Sequence, residues 1–107
     1  MEKSINFYRD IIGLPVARRF MSKEGLDICF LGGGETKVEL ICRPTQSAPC
    51  GVGVALGFEV KSVDATLKFV KDNGLSVDSG PFQPNPHIKF FFVKDPDGYT
   101  VQFVENI

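Results

Sequence analysis

No stretch of this chain stays apolar for the roughly 20 residues that a bilayer-spanning helix needs. The opening Met1-Glu2-Lys3 does not lead into the apolar core of a secretion signal either. A cytoplasmic protein with no membrane partner is therefore expected. The chain also lacks a basic stripe: 12 Lys and Arg are interleaved with 13 Asp and Glu, for a formal net charge of -1. Nothing offers a phosphate backbone a cationic track, which argues against nucleic acid as a partner. Cysteine is scarce. Cys29, Cys42 and Cys50 form no CxxC pair, and an odd number cannot all pair within one chain. Cys29 and Cys42 sit in apolar, strand-like runs where a thiol acts as a small hydrophobe, and a catalytic thiol would need a base from the one histidine, His87. Reduced thiols fit. With 107 residues, 43% of them hydrophobic, the chain has room for one core and none for a second domain.

What is present reads as a mixture of helices and strands. Met1, Ile5, Tyr8 and Ile12 recur at helical spacing, and Gly13 with Pro15 supplies a stop, which predicts a helix over 2–12. Val16 to Phe20, Leu26 to Leu31 and Lys37 to Cys42 are rich in strand formers, with Gly32-Gly33-Gly34 as a turn between the last two. Residues 44–52, with Pro, Ser and Gly, read as a linker. Gly53 to Val60 follows as a strand whose second face, Gly53, Ala55, Gly57 and Glu59, is nearly bare. A helix over 64–73 stops at Gly74. Leu75 to Asp78 reads as a short strand, and Ser79 to Pro86 as an irregular approach to the strand His87 to Lys94. Asp95-Pro96-Asp97-Gly98 is a turn signal, and Tyr99 to Glu105 closes the chain as a strand.

The two halves repeat one order: helix, Gly-Leu stop (Gly13-Leu14 and Gly74-Leu75), three strands. With one small insertion Val38-Glu39-Leu40 superposes on Val101-Gln102-Phe103, so Glu39 and Gln102 hold equivalent places. Module one is 1–43 and module two 53–107 of a single domain. The second module opens with a strand that the first lacks, so either the chain starts late or another molecule supplies the pairing. That unpaired edge, with an apolar helix face, predicts a homodimer.

Three segments carry a resemblance: Ser4 to Leu14, Lys37 to Ile41, and Phe92 to Glu105 with its Asp-Pro-Asp-Gly turn. In that order and spacing they resemble the signatures of the glyoxalase, bleomycin-resistance and dioxygenase (vicinal oxygen chelate) superfamily across nearly the whole chain. The resemblance implies an α+β fold of paired βαβββ modules around a ligand cleft. It does not fix an activity, since that scaffold serves isomerases, epimerases, dioxygenases, thiol transferases and drug-binding proteins.

In glyoxalase-like enzymes a divalent ion, nickel or zinc, is held by one ligand from the first and last strand of each module. Carried onto this chain, the first ligand would precede Met1, the second is Glu39, the third falls on Ala55, and the fourth, a glutamate that can also move the proton, falls on Gln102. An alanine methyl has no lone pair, and a glutamine amide is a neutral ligand without useful basicity. Glu39 is thus the one candidate metal ligand, equally readable as a strand carboxylate facing water, and a divalent metal stays open from the resemblance alone. No catalytic residue is assigned. Glu105 cannot stand in for Gln102, since an odd offset along a strand points to the other face.

The bare face of Gly53, Ala55 and Gly57 opens volume for an organic guest. Gln102 and Ala55 are expected to line it, with His87 recruited if Pro84 to His87 folds over. Lys89, Arg18 and Arg19 are candidate anchors for an anion, beside their reading as solvated surface. Of Phe90, Phe91 and Phe92, alternation sends at least one to the face opposite its neighbours. Two functions follow. The first is a small-molecule-binding protein with a degenerate metal site. The alternative is a metal-dependent lyase or isomerase like lactoylglutathione lyase, acting on a thiohemiacetal.

Overall fold

Period-two alternation of apolar residues marks several strands in this chain, and the computed structural model, which describes residues 1–44, 51 and 53–107, arranges its strands in two sheets. The chain divides into two compact units, Met1–Pro49 and Cys50–Ile107, each an α+β module. The expected linker 44–52 and Cys50 fall largely outside the described residues.

The first unit begins with α1 (Glu2–Asn6), which runs into a π-helical turn over Phe7–Ile11. One continuous α-helix over 2–12 was expected; instead the amide of Ile12 donates to the carbonyl of Phe7, five residues back, at 3.1 Å. The wider turn leaves the adjacent Phe7 and Tyr8 both buried, edge to face with centroids 5.0 Å apart. Three antiparallel strands follow in the order β1 (Val16–Met21), β2 (Asp27–Leu31), β3 (Val38–Cys42). Their register places Cys29, Leu31, Leu40 and Arg19 on one face and Arg18, Phe20, Phe30, Glu39 and Ile41 on the other. The first face is closed: Cys29 and Leu31 are fully buried. Arg19 on this face binds Asp27 through two hydrogen bonds, and Glu2 of α1 at 2.6 Å, tying the helix to the sheet.

The second unit is a four-stranded sheet in the order β4 (Ala55–Glu59), β7 (Thr100–Asn106), β6 (Ile88–Lys94), β5 (Ser79–Asn85), with β4 parallel to β7. Helix α2 (Val63–Asp72) begins at Ser62, whose hydroxyl accepts from the amide of Ala65, and packs on β7 and β6. Between helix and sheet lie Val63, Val70, Phe91, Val93, Val101 and Phe103, all at most 2% exposed. Phe91 and Phe103, cross-strand partners, stack with centroids 5.1 Å apart.

The expected strand Leu75 to Asp78 is not formed, and the segment read as irregular, Ser79–Asn85, is β5 itself. Pro81 and Pro84 have no amide hydrogen to give a ladder, which argues against a central strand. They are tolerated because β5 is an edge, paired only to β6 and irregular at two places. Gly80 (φ +97) lies so close to β6 that a Cβ there would stand 3.0 Å from the Phe91 backbone. At the β6–β7 turn the Asp95 carboxylate accepts from the amides of Asp97 and Tyr99, which makes the Asp-Pro-Asp-Gly run a closed turn.

The repeat reappears in register. Phe30 faces Glu39 across β2 and β3 as Phe92 faces Gln102 across β6 and β7; one step along, Ile28 and Ile41 match Phe90 and Val104. Among the described residues, no strand stands beside β3 as β4 stands beside β7.

Candidate functional site

Each sheet thus has a face filled by its own core and a face left open, and the sequence-predicted residues divide between them. On the open face of the second sheet, Gln102 sits between Gly57 of β4 and Phe92 of β6, and Ala55 stands beside Thr100, one pair away on the same face. The Gln102 carboxamide lies across Gly57: a Cβ at residue 57 would come 3.2 Å from its Oε1. Ala55 and Gly57 are both exposed. The bare face expected from the sequence is therefore real at Ala55 and Gly57; beside them Gln102 presents an amide with a donor and an acceptor, and Glu59, Thr100 and Lys94 lie further along the same face.

Beyond Gln102 the same face becomes aromatic. Phe90 and Phe92 point this way while Phe91 between them is buried in the core. Phe82 of β5 joins them, 5.6 Å from Phe90 and 6.3 Å from Phe92 between centroids, and is 44% exposed. The sequence signalled that at least one of Phe90, Phe91 and Phe92 would face opposite its neighbours, as Phe91 does. The third open-face ring, Phe82, was hidden because β5 was not recognised as a strand.

Glu39 is exposed on the open face of the first sheet, cross-strand to Phe30. Arg18 completes the same row from β1, its guanidinium carbon 4.9 Å from the Phe20 ring centre and 5.0 Å from that of Phe30. Arg18 and Arg19, adjacent in sequence, are separated by the pleat: Arg19 belongs to the closed face. Hydrogen bonds from Arg19 hold the Asp27 carboxyl below the usual carboxylate range, and Asp27 and Glu2 in turn raise the Arg19 guanidinium.

The other two candidates lie elsewhere. His87 is exposed in the two-residue turn joining β5 to β6; its amide donates to Asn85 Oδ1 and its carbonyl accepts from Ile107. The turn lies at the end of β6 away from Phe92, about 16 Å along the strand from the Gln102 level. Lys89 sits on the helix-covered face, its Nζ 2.7 Å from Asp64 Oδ1. Glu105, three residues from Gln102, also turns to that face, where its Oε1 accepts from the amide of Val63 at 2.7 Å and satisfies the start of α2. Cys29 is buried, and burial pushes its thiol pKa up, away from nucleophilic use.

A divalent metal is poorly matched to these residues. Among the described residues no three His, Cys, Asp or Glu side chains approach one another closely enough to hold an ion. The register explains why: where a donor would be needed beside Gln102 the face carries the Ala55 methyl and the hydrogen of Gly57, and Glu39 has an aromatic and an isoleucine as neighbours on its own face. One carboxylate and one amide do not make the three-ligand site of a catalytic ion. No step of chemistry is assigned to a metal here.

Two α+β modules with open sheet faces, repeated in register, define the class of protein. The chain belongs to the Glyoxalase/Bleomycin resistance protein/Dioxygenase superfamily, whose match covers residues 1–103. A protein of Vibrio parahaemolyticus named probable lactoylglutathione lyase is 31% identical over 116 residues, spanning 99% of this chain and 83% of that one. Among solved structures, the glyoxalase I of Leishmania major, described as trypanothione-dependent, matches with a TM-score of 0.83 at 23% identity, over 98% of this chain and 78% of that one. An antibiotic binding protein of Streptomyces sp. CB03234 matches with a TM-score of 0.72 at 21% identity, over 99% and 86%. At those identities the two structures speak for the fold alone.

Proposed function

We propose that this chain is a small-molecule-binding protein of its superfamily, with a degenerate metal site, that holds an organic compound on its open sheet faces without breaking a bond. The observation that carries the reading is the trio Ala55, Gly57 and Gln102: at the place where a lyase needs a metal ligand and a base, the face offers a methyl, a hydrogen and an amide. General-base catalysis is worth about a hundred- to ten-thousandfold, so its loss is decisive for an isomerase. What remains suits binding. Exposed phenylalanines offer apolar area, and Gln102 supplies one orienting hydrogen-bonding group.

The second reading, a glyoxalase I-like lyase acting on a thiohemiacetal, is favoured by the names of the relatives and by Glu39. The two readings separate on one preparation, purified without chelator, in which nickel and zinc per chain are measured and hemithioacetal turnover is assayed with each metal added back. Substoichiometric metal and no turnover are expected. Stoichiometric metal that resists dialysis, with turnover abolished by Glu39→Ala, would establish the lyase.

A cytoplasmic homodimer is part of the proposal. No helix among the described residues is long and apolar enough to cross a membrane, and β3 leaves its outer edge without a ladder partner among those residues. Light scattering over a dilution series should give a mass near twice 11.8 kDa. A monomer at micromolar concentration would refute the dimer.

A further inference from the structure

Arg18 and Arg19 have the same side chain and adjacent positions, and the fold uses only one of them. Arg19 is committed to Asp27 and Glu2. Arg18, on the open face, has no carboxylate partner among the described residues, and its guanidinium lies over Phe20 and Phe30. A guanidinium stacked on rings has its plane occupied and its N–H edge free, and that edge matches the two oxygens of a carboxylate. The stacking also fixes the side chain in advance, so less freedom is lost when an anion arrives. Across the sheet from Arg18 come Phe30 and then Glu39, one strand apart each, about 10 Å in all. This row is cationic at one end, aromatic in the middle and anionic at the other, with the exposed Ile41 and Phe20 alongside. The corresponding row of the second sheet has Ser79 in place of Arg18 and Gln102 in place of Glu39, so the first sheet alone carries this charge pattern.

We infer that the open face of β1, β2 and β3 selects a small aromatic carboxylate bearing a hydrogen-bond donor at its far end. The carboxylate meets the Arg18 edge, the ring lies against Phe30, and the donor reaches Glu39. A second anion at the far end is rejected by Glu39. The inference rests on the small-molecule-binding reading and names the class of molecule that reading leaves open.

Three probes test it on the full chain: 4-aminobenzoate, its methyl ester, which lacks the anion, and 4-methylbenzoate, which lacks the donor. Each is titrated to 10 mM while backbone amide shifts are followed by NMR, with wild type, Arg18→Met, Arg18→Lys and Glu39→Gln. In the wild type 4-aminobenzoate should bind about tenfold more tightly than its ester, with shifts concentrated in β1–β3. Arg18→Met should erase that preference, so that acid and ester bind with equal affinity. Arg18→Lys keeps the charge but not the fork, and should still lose about threefold. Glu39→Gln should narrow the gap between 4-aminobenzoate and 4-methylbenzoate. If acid and ester bind equally, or Arg18→Met keeps the preference, the inference falls while small-molecule binding stands. Absence of shifts from all three probes overturns the inference; the metal and turnover assay above decides the broader reading independently. Should Arg18→Met fail to fold, the wild-type probe series, Arg18→Lys and Glu39→Gln still decide.

Discussion

Replacing Gly57 by alanine separates what this sheet needs for stability from what it needs for its ligand. Gly57 lies inside β4 with its φ outside the left-handed region, so an alanine fits the local conformation. A compatible Gly→Ala change stabilises by about 0.4–1 kcal/mol, because the unfolded chain loses freedom it would otherwise regain. Against this stands one contact: the new Cβ would be 3.2 Å from Gln102 Oε1. That oxygen is the far end of a flexible side chain, so the carboxamide turns aside by a few tenths of an ångström at a cost of about 0.5 kcal/mol. The net effect on stability should therefore be between zero and about 0.5 kcal/mol in favour of the variant, read from urea unfolding at pH 7. Binding should move the other way. A displaced amide that no longer meets its ligand forfeits a hydrogen bond worth about 0.5–1.5 kcal/mol, a loss of roughly two- to tenfold in affinity for a compound bound on the second sheet. Calorimetric titration with any compound whose NMR shifts map to β4 and β7 supplies the reading. A variant destabilised by more than 1 kcal/mol would show that Gly57 is there for packing. Unchanged affinity for such a compound would show that Gln102 does not orient it.

Glu105→Ala should cost about 2 kcal/mol and lower the melting temperature by roughly 10 °C, because it strands the Val63 amide at the start of α2; a loss under 0.5 kcal/mol would refute that role. The double variant Ala55→His with Gln102→Glu places two donors on one face, diagonal neighbours across β4 and β7, and should raise zinc affinity at least tenfold over the wild type in a competition assay with a chromophoric chelator. No gain would mean that these two positions do not converge. Asp27 is held below its ordinary value of 3.8 by Arg19, so its contribution is fully present above about pH 5 and is lost as pH falls through the lowered value. The stability difference between wild type and Asp27→Asn, from urea midpoints, should hold steady from about pH 7 to 5 and shrink below about pH 4; a difference unchanged at pH 3 would contradict the assignment.

Period-two alternation was enough to read from the sequence which residues share a face. The internal repeat placed Glu39 and Gln102 as equivalents, and alternation sent Glu105 to the face opposite Gln102, where the structure finds it closing α2. Alternation failed where a strand does not alternate. β5 contains Pro81 and Pro84, and its pairing skips at two places, so nothing periodic marked it, and the aromatic group around Phe82 went unseen. Arg18 and Arg19 looked interchangeable because local sequence does not report which arginine meets Asp27; the bulge between Val16 and Arg18 decides that. The π-helical turn was hidden for a similar reason, since a spacing of five residues at Phe7 and Ile12 differs from helical spacing by only one residue.

The shared register of the two hairpins has a consequence for how such a protein changes over generations. Along β3 and β7, odd and even positions answer to different demands: one set faces the interior and the other lies on the open face, where the proposed ligand would be met. Substitutions at the second set can accumulate without disturbing the first, so specificity drifts while the architecture stays put. A single-residue insertion in either strand is the change this arrangement cannot absorb, because it would exchange the two sets beyond that point and carry phenylalanine and valine into water. Lineages descending from this chain should therefore diversify by replacement within β3 and β7 and by length changes confined to the loops that join them.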